Sequence, residues 1–316
     1  MSNDSPALTY RLLDASLANE CEPMTFPRFR HLLLLYPSPR YPSEGDSRKV
    51  QAVGTVALSG PLVVGLALAA IPVDARDEAE LLSVFVSPQW RQHGVATELV
   101  RRLEQELGGV GVASIEAVYM TGKPSIAAVE RLFARLEWSA PTVRTITVRF
   151  TPEEARATPW FGRKLLPRGA EIFEWARVTA DEMERLKISN LASPWIAEGL
   201  EPWAHSALGF EPASSVGLRV GGEIAGWVIN HRIWADTVRF TCSFMRPDLA
   251  RRAAILPLYT ASIERVEAAG YRNCTFITPV KYEGMVDFIL NRCAKWVNYV
   301  GETRRVDKRL VTCAAS

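Results

Sequence analysis

The chain has 316 residues and a mass of 35.1 kDa, a length that suggests two domains and needs no disulfide or metal to fold. Hydrophobic residues make up 48% and charged residues 23% of it, the composition of an ordinary globular protein rather than a disordered one. The 37 lysines and arginines nearly balance 35 aspartates and glutamates, a net charge of +2 that gives nucleic acid or an anionic membrane no claim as default partner.

The opening MSNDSPALTYRLLD lacks a basic stretch leading into an apolar one, so no secretory signal is expected. Five scattered cysteines (Cys21, Cys242, Cys274, Cys293, Cys313) form no C-x-x-C pair. They read as reduced, buried thiols of a cytoplasmic protein with no metal centre. Leu8 to Leu13 reads as a strand, Leu17 to Tyr36 as helical patches broken by Pro23 and Pro27, and residues 37–49 as a polar, proline-rich loop. Val53 to Ile71 carries no charge and approaches membrane-spanning length. Ser59-Gly60-Pro61 at its centre and the β-branched residues around it point instead to a β-hairpin buried on both faces.

A strand Leu81–Val86 then stops at Pro88. His93 to Leu107 places Val95, Leu99, Val100, Leu103 and Leu107 on one helical stripe, with Arg101, Arg102, Glu104 and Glu106 off it. Val112–Met120 (strand), Ser125–Trp138 (helix) and Thr142–Phe150 (strand) follow. Residues 151–170, with three prolines, read as a linker. The order of signals then recurs: strand 171–178, helix 180–191, an irregular stretch, strands 216–220, 224–232 and 236–245, helix 255–269, strand 273–279, helix 284–296 and a closing strand 298–311. The expectation is an α/β protein with two copies of one fold, each a mixed sheet flanked by helices: 1–150, a linker 151–170, and 171–316.

The informative stretch is LLSVFVSPQWRQHGVA, residues 81–96. A strand ends at a proline, and Arg91-x-x-Gly94-x-Ala96 falls where the helix begins. The first helical N–H groups have no partner within the helix, the helix dipole is positive there, and small residues admit a ligand to the backbone. That is an anion site suited to a pyrophosphate.

Strand, proline, R-x-x-G-x-A turn and amphipathic helix together resemble motif A of the GNAT superfamily, the acyl-CoA-dependent N-acyltransferases. The resemblance extends over 8–150 in element order and is specific in residues over 80–107. It implies that backbone amides of Gln92, His93, Gly94, Val95, Ala96 and Thr97 hold the pyrophosphate of acetyl-CoA or another acyl-CoA. It also implies that Arg91 adds a phosphate contact and that the main chain at Phe85 and Val86 pairs with pantetheine as an extra strand would. Glu80, where several family members carry a glutamate, is the candidate general base for the attacking amine. Phe133 stands where many members have a tyrosine that protonates the leaving thiolate, and Tyr119 is an unconvincing substitute.

The matching segment of the second copy, FMRPDLARRAAI (244–255), has no glycine, and Pro257 falls inside the would-be helix start, so this copy is expected to bind CoA poorly or not at all. Arg251 and Arg252 read as solvated helix arginines there, and His205 and His231 as packed histidines among tryptophans. The expected function is transfer of an acetyl or other acyl group to a small-molecule or peptide amine, with no metal and with a homodimer among the expected assemblies. The rivals are a non-catalytic acyl-CoA-binding or scaffold protein and, further off, an aminoacyl-tRNA-dependent transferase.

Overall fold

The computed structural model describes residues 7–34, 50–163, 165–250 and 253–312. The loop 37–49, Arg251, Arg252 and Cys313 lie outside the described residues. The chain divides into two compact units, Met1–Arg144 together with Thr303–Ser316, and Thr145–Glu302.

In the first unit β1 (Leu8–Leu12) is followed by short 3-10 turns and the one-turn α1 (Ala18–Cys21), where the prolines prevent anything longer. The hairpin β2 (Val50–Ser59) and β3 (Leu62–Pro72) turns at Gly60, whose φ of 60° favours glycine. Next come β4 (Glu78–Val86), α2 (Val95–Gly109), β5 (Ser114–Met120) and α3 (Ile126–Arg135).

The uncharged hairpin is buried on both faces. Val64, Ala67, Ala69 and Ile71 pack into one cluster with Leu99 and Leu103 of α2. Val63, Leu66, Leu68 and Ala70 pack into the other with Leu17, Cys21 and Leu33. Gly65 lets α2 close on β3, since a Cβ there would stand 2.9 Å from Leu99 Cδ1. No described helix is long and apolar enough to cross a membrane.

The second unit begins in β6 (Thr142–Phe150) and continues through α4 (Pro152–Arg156), β7 (Ala170–Glu174), α5 (Ala180–Ala192), β8 (Val216–Val220), β9 (Glu223–Trp234), β10 (Thr237–Met245), the single turn α6 (Pro247–Ala250), α7 (Ile255–Ala268), β11 (Asn273–Pro279) and α8 (Glu283–Asn291). The last strand, β12 (Tyr299–Arg309), returns to the first unit: Thr303 to Arg309 pair antiparallel with Met120 to Ser114. Within the first unit the strand order is β1-β2-β3-β4-β5-β12, and within the second it is β6-β11-β10-β9-β8-β7.

Two expectations differ from this arrangement. Residues 303–316 group with the N-terminal unit rather than with 171–302, because the backbone of β5 needs a partner on its far side and β12 supplies it. The stretch 151–170 is not a free linker. Thr151 and Glu154 close a capping box on α4, Arg156 pairs with Glu267, and Gly162 N–H donates to Thr260 Oγ1 at 3.2 Å.

Candidate functional site

Strands β4 and β5 run parallel and are paired only at Glu78↔Ser114, Ala79↔Ile115 and Glu80↔Glu116. Beyond that point β4 continues to Val86 and β5 to Met120, so the two strands part and leave the β4 edge open. A bulge at Leu82 precedes the opening: Ala79 and Leu81 face the α2 side, and after the bulge Val84 and Val86 do.

Ser87 N–H donates to Val64 O at 2.9 Å, which fixes the phase of the ladder. Phe85 and Ser87 thus turn their main-chain groups to β3, and Val84 and Val86 turn theirs to the open side. The expectation for Phe85 is corrected by this alternation: of the expected pair only Val86 presents its backbone to the gap, and Val84 is its companion.

The gap leads to the turn before α2. Pro88–Trp90 form a 3-10 turn, and Arg91 Nε donates to the Val86 carbonyl at 3.0 Å, bracing the strand end against the loop. His93 Nδ1 lies 2.7 Å from Arg91 O. Gln92 (φ 66°) and Gly94 (φ 78°) are both left-handed, a conformation that costs a non-glycine residue about 1 kcal/mol.

No side chain caps α2, and its first main-chain bond is Glu98 N–H to Gly94 O at 3.0 Å. The N–H groups of Val95, Ala96 and Thr97 accordingly have no partner within the helix. A Cβ at Gly94 would meet nothing within 4 Å. Glu98, the acid in the first turn, is matched by Arg102 at 2.7 Å and Arg101 at 2.9 Å. Its carboxyl is held below the ordinary range by the Arg102 hydrogen bond, so an anion at the helix start meets a compensated charge.

Glu80 is the last paired residue before the strands part, side by side with Glu116 on one face of the sheet. Glu116 is held by Arg305 of β12 at 2.9 Å. On the other face Tyr119 stacks on Phe133, which is buried against Trp138. The Tyr119 hydroxyl donates to Glu130 Oε1 at 3.1 Å, and burial with that carboxylate pushes its pKa up to about 12.

The Acetyltransferase (GNAT) family model matches residues 18–134, the segment that holds the parted strands and the helix start. This segment is a GNAT domain. No curated protein matches the chain. Among solved structures it is similar to a tandem GNAT protein from the clavulanic acid biosynthesis pathway, solved without acetyl-CoA, at 13% identity and a TM-score of 0.59 over 96% of this chain and 98% of that one. It is also similar to a GCN5-related N-acetyltransferase from Sphaerobacter thermophilus, at 13% identity and a TM-score of 0.56 over 97% of this chain and 98% of the other. The fold is that of a tandem GNAT protein, two GNAT-like domains in one chain.

The C-terminal GNAT-like domain repeats the geometry in part. Strands β10 and β11 pair in parallel from Thr237↔Asn273 to Phe240↔Phe276 and then separate. The counterpart of the α2 start is altered: Leu256 N–H already donates to Ala253 O, Pro257 has no N–H, and Ala254 is buried. His231 is buried 6.5 Å from His205, ring centroid to ring centroid, and His205 Nε2 lies 3.1 Å from Gly199 O.

Sequence reasoning missed Val84, Glu116 and Arg305. The orientation of Val84 and the Glu116–Arg305 pair depend on strand phase and on the pairing of β12, and nothing in the local sequence encodes either.

Proposed function

We infer that the N-terminal GNAT domain transfers an acyl group, acetyl in the simplest case, from acyl-CoA to the amine of a small molecule or peptide. The observation that carries this reading is the conjunction of a parted β4–β5 pair with an uncapped, glycine-opened helix just beyond it. The backbone N–H groups from Gln92 to Thr97, with Arg91, take the pyrophosphate. Val84 and Val86 pair with pantetheine, and the thioester reaches toward Glu80 at the apex of the gap.

Glu80 accepts a proton from the attacking amine, directly or through a water. The amine nitrogen bonds to the thioester carbonyl carbon, a strand N–H polarises the oxygen, and the C–S bond breaks with its electrons on sulfur. Phe133 has no proton to give. Tyr119, with its pKa pushed up to about 12, holds its proton more tightly than a thiol of ordinary pKa, about 8.5, can draw it. The thiolate is therefore protonated by solvent or by the ammonium formed in the addition.

Release of CoA thiol, measured with acetyl-CoA and a panel of amino sugars, polyamines, amino acids and peptides, tests this directly. Turnover with at least one amine is expected. The buried Phe133 favours a second reading, a protein that binds acyl-CoA without turning it over. Calorimetric binding with no thiol release from any amine would select that reading, and absence of binding would sink both.

A further inference from the structure

We propose that the C-terminal GNAT-like domain binds a free fatty acid in the gap between β10 and β11, independently of the acyl-CoA site proposed for the N-terminal domain. Where these strands part, a cavity of about 520 Å³ opens, within the size range of small-molecule sites, about 300–1,000 Å³. Its walls are almost entirely carbon: Phe150, Phe240 and Phe276 on the strands, Leu256 and Ile263 on α7, and Trp296.

The cavity passes through the plane of the sheet. Leu200 lines it from the face where the Trp227 indole donates to the Leu200 carbonyl, at 3.1 Å. Helix α7 lines it from the opposite face, where Ser262 meets Asn230 at 2.8 Å. Residues 227 and 230 differ by an odd number, so they face opposite sides of β9. A passage threaded between two strands suits a flexible chain better than a rigid ring system.

The opening sets the rest of the ligand. Met285 and Phe288, one turn apart on α8, line the cavity while remaining 37% and 39% exposed, which makes an apolar mouth. Beside them stands Lys281, among the described residues the one lysine, arginine or carboxylate in the lining, with Glu198 at 4.0 Å and both groups exposed. An apolar passage ending at a single loosely held ammonium matches an alkyl chain ending in one carboxylate.

Among the described residues, the start of α7 gives a nucleotide no clear handle. The start of α7 offers no run of free N–H groups, because Leu256 is already bonded and Pro257 has none. Two inner groups are held in their neutral forms. Burial pushes the Cys293 thiol up to about 12 and raises the Tyr259 hydroxyl, so neither places a negative charge against the chain.

The test is titration of the full chain with cis-parinaric acid, a fatty acid that fluoresces in apolar surroundings, followed by competition. One equivalent of probe is expected to bind, dodecanoate to displace it, and dodecanoyl-CoA to compete no better than dodecanoate. Lys281→Glu, on an exposed side chain, should weaken dodecanoate about fivefold and leave 1-dodecanol unchanged. Met285→Trp, which narrows the mouth, should reduce binding of cis-parinaric acid, dodecanoate and 1-dodecanol alike. Gly94→Trp should leave the titration as in the unmodified chain, whatever it does to acetyl-CoA. Absence of enhancement, displacement by dodecanoyl-CoA but not by dodecanoate, insensitivity to both mouth variants, or loss of binding in Gly94→Trp would each overturn the proposal.

Discussion

Lys308 Nζ of β12 lies 2.6 Å from Glu104 Oε2 of α2 and 2.7 Å from the Leu136 carbonyl, while the Trp138 indole N–H donates to Glu104 Oε1 at 2.7 Å. The carboxylate is only 8% exposed and is satisfied at both oxygens by residues distant in sequence. The last strand is thereby fixed to the helix whose opposite end forms the proposed pyrophosphate site. Lys308→Met strands a buried charge, and a loss of about 3–5 kcal/mol in urea denaturation is expected. Glu104→Gln combined with Lys308→Met should recover most of it. A single variant as stable as the parent would show that the pair is dispensable.

Gly94 separates backbone strain from ligand contact. Its φ of 78° makes any side chain costly, yet a Cβ there touches nothing. Gly94→Ala and Gly94→Trp should therefore lose a similar amount of stability, about 1 kcal/mol. Only the tryptophan should abolish acetyl-CoA binding in calorimetry, because its ring occupies the space above the free N–H groups. Unaltered binding in Gly94→Trp would remove the pyrophosphate assignment.

Glu80 and Tyr119 should respond in opposite ways. Glu80→Gln is expected to lower kcat by about 100-fold or more at neutral pH and to remove the acidic limb of the pH–rate profile. Tyr119→Phe should change kcat less than about threefold, since a hydroxyl whose pKa is pushed up to about 12 is a poor acid toward a thiolate of pKa about 8.5. A large loss in Tyr119→Phe would reinstate it as the acid.

His231 carries a pH signature. Burial, and then its neighbour His205, lowers its pKa from the ordinary 6.5. The folded state therefore binds its proton less readily than the unfolded chain does. Its contribution to stability is fully present above pH 6.5 and declines as the pH falls through the lowered value. His231→Leu should flatten the slope of stability below pH 6.5. An unchanged slope in the variant would assign the dependence to other groups.

Local chemistry in the sequence was enough to find the central parts of the fold. The uncharged run of the β2–β3 hairpin needs two apolar faces, and the 3.6-residue stripe of α2 needs one, so both elements are legible without tertiary information. The tandem order follows from the same signals. Other features depend on pairing between distant segments. That Val84 rather than Phe85 turns its main chain to the gap follows from the bulge at Leu82 and the Ser87–Val64 bond. Glu116 gains its partner only because β12 places Arg305 beside it. The short helix α4 did have a local signature in Thr151-Pro152-Glu153-Glu154, but one turn among three prolines is too brief for periodicity to register.

The return of β12 to the first sheet bears on how the protein is made. A ribosome releases residue 144 long before residue 309, and at about 5–20 residues per second the interval is roughly 10–30 s. Throughout that time the outer edge of β5 has no β12 beside it, and the Glu104 carboxylate has no Lys308. The first domain begun is thus completed only when the final strand emerges, and a nascent chain cut short before β12 leaves that domain's sheet without its last strand.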